Sequence, residues 1–88
     1  MSGLNYNHLR YFWAVAHDGN LTRTAERLGV SQSALSVQIR KLEDRIGHPL
    51  FERRGKQLLL TEAGHIALDH ADAIFAAGDE LLGTLRER

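Results

Sequence analysis

Apolar positions along this chain of 88 residues recur at two different spacings, and the change from one to the other marks its elements. From about His8 to His17, Leu9, Phe12, Trp13 and Ala16 follow the i, i+3, i+4, i+7 rhythm of one buried helix face. Asn7 is placed to cap that helix and Gly19-Asn20 to stop it. Leu21 anchors the turn in the core. A second, shorter helix then runs to about Leu28, with Thr22 as its cap and Ala25 and Leu28 facing inward. Gly29 supplies the left-handed bend of a tight interhelical turn, and Val30 fills the corner. Ser31 caps a third helix whose apolar stripe is Leu35, Ile39, Leu42 and Ile46. Gly47 ends it and Pro49 prevents its continuation.

The rhythm then changes. Leu50-Phe51-Glu52-Arg53 and Gln57-Leu58-Leu59-Leu60 read as two short strands, joined by an Arg54-Gly55-Lys56 hairpin loop. Thr61 caps a final helix that runs to about Arg86, and Glu62 suits the dipole of its first turn. One stripe of that helix is Ala67, Ala71, Ile74, Gly78, Leu81 and Leu85, flanked by Leu68, Phe75 and Leu82. So wide an apolar face exceeds what a small head covers. The simplest cover is the same helix in a second copy, which gives a homodimer interface of Ala67, Ala71, Ile74, Phe75, Gly78, Leu81, Leu82 and Leu85. The predicted fold class is mainly α: a winged helix-turn-helix, with a three-helix head and a two-stranded wing over residues 1–60, followed by a long dimerising linker helix over 61–88.

Charge sharpens this picture. The formal net charge is zero, but residues 1–60 carry nine Lys or Arg against five Asp or Glu, whereas residues 61–88 carry two against six. A basic head suits a phosphate-bearing partner, and an acidic tail avoids it. The chain has no cysteine, and no stretch of it approaches the roughly 18 apolar residues of a membrane span. The opening MSGLNYNHLR lacks the layout of a signal peptide. A cytoplasmic protein without a membrane partner is expected. The five histidines, at 8, 17, 48, 65 and 70, match no zinc spacing. There is neither a glycine-rich phosphate loop nor a nucleophile elbow, so no metal, no cofactor and no enzymatic activity are expected.

The chemistry points instead to double-stranded DNA. In the first turn of the third helix, Gln32 is placed to pair with adenine in the major groove, and Ser33 and Ser36 follow on the same side as further base contacts. Thr22 and Ser31 combine capping with the anion affinity of helix starts. Gln38, Arg40, Arg53, Arg54, Lys56 and Thr61 complete the expected phosphate or minor-groove set. Arg23 and Arg27 have Glu26 or other acids to pair with. Phe12, Leu28, Leu35, Ile39, Leu42 and Phe51 are expected in the core, with Trp13 packed under the final helix.

These residues also carry a resemblance. AERLGVSQSALSVQIRKLE, then the G-x-P-L-F-x-R run from Gly47 to Arg53, then L-T-E-A-G from Leu60 to Gly64, together resemble the N-terminal domain of LysR-type transcriptional regulators. The opening LNYNHLRYFW is similar to the branch that includes sodium/proton antiporter regulators. The resemblance implies a winged helix-turn-helix, a dimerising linker helix, base contact by Gln32 and transcriptional control in a bacterium; two heads paired by the linker helix are then expected to bind an interrupted inverted repeat. It also implies an effector-binding domain, absent from this chain. Two positions depart from the family: Ser33 stands where many members have proline, and Val37 where many have arginine. The competing reading is a winged-helix protein-interaction or dimerisation module without DNA affinity. The zero net charge and the long apolar helix favour that reading, while the basic wing and the Ser31-Gln32-Ser33 helix start oppose it.

Overall fold

A computed structural model describes residues 3–55 and 57–87. In chain order the elements are α1 (Tyr6–Asp18), α2 (Leu21–Leu28), α3 (Gln32–Ile46), β1 (Phe51–Arg54), β2 (Gln57–Leu60) and α4 (Glu62–Arg86). The two strands pair antiparallel, Phe51 opposite Leu60 and Arg54 opposite Gln57. This is the expected three-helix head with a wing and a long last helix.

Two caps differ from expectation. Asn5, not Asn7, caps α1: its side-chain carbonyl accepts the His8 N–H at 3.0 Å. The earlier start makes Tyr6 helical and brings its ring to 5.8 Å from that of Phe75 on α4. Asn20, not Thr22, caps α2, accepting the Arg23 N–H at 2.9 Å. Asparagine is the stronger N-cap of the two, and the choice makes Leu21 the first helical residue. Ser31 and Thr61 cap α3 and α4 as expected, accepting from Ala34 and Gly64. Gly29 ends α2 in the left-handed region at φ 70° and returns the chain into α3, its N–H bonded to the Glu26 carbonyl at 3.2 Å. In the wing the expected strand boundary moves by one: Leu50 precedes β1, and Arg54 belongs to it.

The interior has two apolar clusters. One joins Leu9, Phe12, Leu42, Leu50, Ala71 and Phe75; the other joins Val15, Ala25, Leu35 and Ile39. Helices α1 and α3 contribute to both, and Phe51 packs against both, its ring 5.3 Å from that of Phe12. Three positions expected inside are less covered: Leu28 and Phe51 are half-buried, and Ile46 lies exposed at the end of α3 because the chain turns away at Gly47.

One junction locks the wing, α3 and α4 together. The Leu50 N–H donates to Glu43 Oε2 on α3 at 2.7 Å. The Leu50 carbonyl accepts the Thr61 N–H at 3.0 Å. The Thr61 hydroxyl donates to the Pro49 carbonyl at 2.7 Å and accepts the Gly64 N–H at 2.9 Å. Gly64 is buried so closely against this turn that any Cβ there would strike the Leu50 carbonyl oxygen and the Leu60 side chain. Gly64→Ala is therefore expected to destabilise the fold by about 2 kcal/mol or more. Gly83→Ala, where a Cβ meets open space, is expected to stabilise by about 0.5–1 kcal/mol. Urea unfolding of the two variants checks both signs.

Candidate nucleic-acid interface

The helix-turn-helix is braced from behind. Thr24, fully buried on α2, shares its hydroxyl proton between Asp18 Oδ2 at 2.7 Å and the Asn20 carbonyl at 2.9 Å. Arg27 reaches the same Asp18 oxygen, its Nη2 at 2.9 Å and its Nε at 3.2 Å. The end of α1 is thereby tied to the whole length of α2. The Thr24 hydroxyl first, and the Arg27 guanidinium second, hold the Asp18 carboxyl below its ordinary value of 3.8. The sequence offered Glu26 or other acids as partners for Arg27, where the fold supplies Asp18, and it gave no sign of Thr24, since a threonine inside a helix carries no mark of its partner.

Braced in this way, α3 turns Leu35, Ile39 and Leu42 inward. Gln32, Ser33, Val37 and Arg40 are exposed and Ser36 half-buried; together these five line one shallow depression. A neighbouring cleft is lined by Asn20, Leu21, Thr22, Gln32, Arg53 and Gln57. A third depression brings Ser36 and Arg40 beside Arg53 and Leu58. Thr22 at the start of α2, Gln32, Ser33, Ser36 and Arg40 on α3, and Arg53 on the wing therefore share one continuous surface. Asn20 and Gln57, which also line the cleft, were not anticipated. Their only signals were a cap position and the alternation of β2.

Several expected contacts change in kind. Thr22 is not a cap, so its hydroxyl stands exposed in the first turn of α2. Ser31 accepts from Ala34 at 3.1 Å and lies 3.3 Å from the Ser33 hydroxyl. Thr61 leaves the phosphate set, because its one hydroxyl proton is already given to Pro49 inside the junction. Gln38 is half-buried, on the flank of α3 across the buried stripe from Ser33 and Ser36. Arg54 Nε pairs with Glu52 at 2.8 Å, an exposed contact of little strength that leaves the side chain recruitable. Lys56 lies outside the described residues.

The long helix α4 divides into two parts. Ala71 and Phe75 are already covered by α1 of their own chain, so these two leave the expected face for a second copy. Trp13 lies against Phe75 at 5.0 Å between ring centroids, under α4 as expected, and Arg10 stacks on Phe75 at 4.8 Å. Asp72 Oδ1 accepts from Trp13 Nε1 at 2.7 Å and from His17 Nε2 at 2.9 Å; hydrogen bonds from His17, then Trp13, lower its pKa. Beyond Phe75 no described residue of α4 is buried. Leu81, Leu82 and Leu85 are 52–61% exposed, and Ala67 and Ile74 are half-buried at the edge of the head. Among the described residues no group of three or more His, Asp or Glu is placed to hold a metal ion, and no helix is long and apolar enough to cross a membrane.

A carboxyl with a lowered folded-state pKa stabilises fully above its unfolded value and loses that contribution as pH falls through the folded one. Asp18 therefore adds to acid sensitivity below about pH 4. Thr24→Val is expected to cost about 1 kcal/mol near neutral pH, from loss of the buried hydroxyl's bonds. The same variant lets the Asp18 pKa rise toward 3.8, so the loss of stability on acidification becomes shallower. Urea unfolding at about pH 7 and about pH 3 checks both effects.

Comparison with known proteins agrees with this geometry. A family model described as bacterial regulatory helix-turn-helix protein, lysR family, matches residues 6–65. The transcriptional activator protein NhaR of Escherichia coli (strain K12) is 39% identical over 88 residues, covering 100% of this chain and 29% of that protein. The RuBisCO operon transcriptional regulator of Allochromatium vinosum is 51% identical over 71 residues, 81% of this chain and 24% of that one. The chain thus spans less than a third of these relatives' length. Among solved structures, a BenM_DBD/catB site 1 DNA complex is similar at TM-score 0.87 and 31% identity, covering 94% of this chain and 92% of that one. A CbnR_DBD–DNA complex is similar at TM-score 0.83 and 36% identity, covering 94% and 95%.

Proposed function

The chain belongs to the LysR family of bacterial regulatory helix-turn-helix proteins, and from that premise we propose that it is the sequence-specific, dimeric DNA-binding part of a transcription regulator. The observation that carries this reading is the single cleft lined by Thr22 on α2, Gln32 on α3 and Arg53 on the wing. A helix start with an exposed amide, flanked by a basic hairpin, matches a major groove between two phosphate backbones. The DNA complexes among the similar structures support it.

In this reading Gln32, Ser33 and Ser36 meet base edges. Arg40, Arg53 and Arg54 hold phosphates or enter the minor groove, and the helix starts at Thr22 and Ser31 add N–H donors. The exposed Leu81, Leu82 and Leu85 of α4, with Ala67, Ile74 and Gly78, meet a second copy. Two heads held in this way read an interrupted inverted repeat. The protein acts by binding rather than catalysis, on DNA in the bacterial cytoplasm.

In fluorescence anisotropy, Gln32→Ala is expected to cost about 1–3 kcal/mol and to relax preference at one base position, while Arg53→Ala weakens all sequences alike and lowers the salt slope by about one ion. Equal weakening of every sequence by Gln32→Ala rejects its base contact; an unchanged salt slope rejects Arg53. Absence of binding to bulk DNA at low salt rejects the whole reading in favour of an interaction module. For the dimer, Leu81→Asp combined with Leu85→Asp is expected to shift sedimentation from dimer to monomer without changing the fold of the head.

A further inference from the structure

We propose that Val37 reads the C5-methyl group of a thymine, an apolar specificity contact at the centre of an otherwise polar recognition face. The inference rests on the DNA-binding reading above. Val37 is 46% exposed and belongs to neither apolar cluster. The other large exposed apolar residues described lie elsewhere: on the N-terminal segment and the start of α1, at the end of α3, on β2 or on α4. Only Val37 occupies the outward middle of α3. It shares one depression with Gln32, Ser33, Ser36 and Arg40. By helical spacing it points almost directly away from Leu35, Ile39 and Leu42.

Local physics gives no other reason for valine here. At 46% exposure the side chain gains little from burial within its own chain, and a β-branched side chain loses rotamer freedom that Ala, Lys or Arg would keep. The side chain has neither donor nor acceptor, so it has no use for a phosphate, a guanine edge or a cytosine amino group. The major groove offers one apolar feature among the four standard bases, the thymine methyl. Val37 is four residues beyond Ser33, about 6 Å along the helix axis, which corresponds to about two base steps.

The test uses this chain and a duplex enriched by in vitro selection with it. Each thymine is replaced singly by deoxyuridine, which removes only the methyl, and affinity is measured by anisotropy. One position per half-site is expected to lose about fourfold, the size of one buried methyl. Val37→Ser is expected to be insensitive to that replacement while keeping the salt slope of the unaltered chain. Binding blind to uracil at every thymine overturns the proposal, as does the same fourfold loss persisting in Val37→Ser; both leave the DNA-binding reading standing. A selection that enriches no sequence overturns that reading and this proposal together.

Discussion

The placement of the wing beside α3 and α4 depends on the closeness of Gly64 to the Leu50 carbonyl. That contact lets α4 begin directly beneath the turn that leads into β1. At the same spot, Thr61 caps α4 while bonding to Pro49 and Leu50, and Glu43 holds Leu50 from α3. Three elements thereby share one backbone turn. The wing has no hydrophobic layer of its own, and two isolated strands are marginal in water. Its position is set by this turn at one end and by Phe51 and Leu58 against the helices along its length. The distance between Arg53 and Gln32 is thus inherited from the junction, not from any contact between the two side chains.

A second constraint runs along α1. This helix supplies Leu9 and Phe12 to one cluster and Val15 to the other, so it couples the two halves of the core. Its last turn carries Asp18, which holds α2, while Trp13 and His17 hold α4 through Asp72. These polar contacts are largely exposed, and each alone contributes modestly. Their value is directional. The apolar burial of Phe12, Leu35, Leu42 and Leu50 supplies most of the stability, since full burial of each such side chain contributes about 1.5–3 kcal/mol. The polar ties fix how α2 and α4 are angled on that core.

The element plan was readable because each boundary has a local cause. Gly19, Gly29, Gly47 and Gly55 all take positive φ where turns were expected, and Ser31 and Thr61 cap where a hydroxyl precedes a helix. The two misplaced caps arose where two candidates stood two residues apart, Asn5 against Asn7 and Asn20 against Thr22. In both cases tertiary packing, of Tyr6 on Phe75 and of Leu21 on the second cluster, agrees with the earlier start. The sequence named residues that the fold brings onto one surface, such as Thr22, Gln32 and Arg53, but not what each side chain bonds to within the chain. Thr61 looked like Thr22, a hydroxyl at a helix start. Only the fold reveals that its proton is already committed to Pro49. Likewise Ala71 and Phe75 belong to one long apolar stripe in the sequence, and nothing in periodicity says which part of it the chain covers by itself.

That division of α4 decides what the helix can transmit. Its first half is part of the head: Gly64, Ala71 and Phe75 are buried, and Trp13, Arg10 and Asp72 fix its rotation. Its last eleven residues, about 16 Å of helix, leave the head as a rigid arm with Leu81, Leu82 and Leu85 uncovered. A helix held so firmly at one end cannot swivel at its base without breaking the Trp13–Asp72 bond and the Phe75 stack. In the dimer proposed above, a change in how two arms pair appears as a change in the separation or tilt of the two heads. The acidic residues of α4, Glu62, Asp69, Asp72, Asp79 and Glu80, belong to this arm and its root, whereas Arg40 and Arg53 line one depression between α3 and the wing. The same division that leaves the chain formally neutral therefore sets an acidic arm against a basic head, which in the proposed DNA-binding reading keeps the arm off the phosphates.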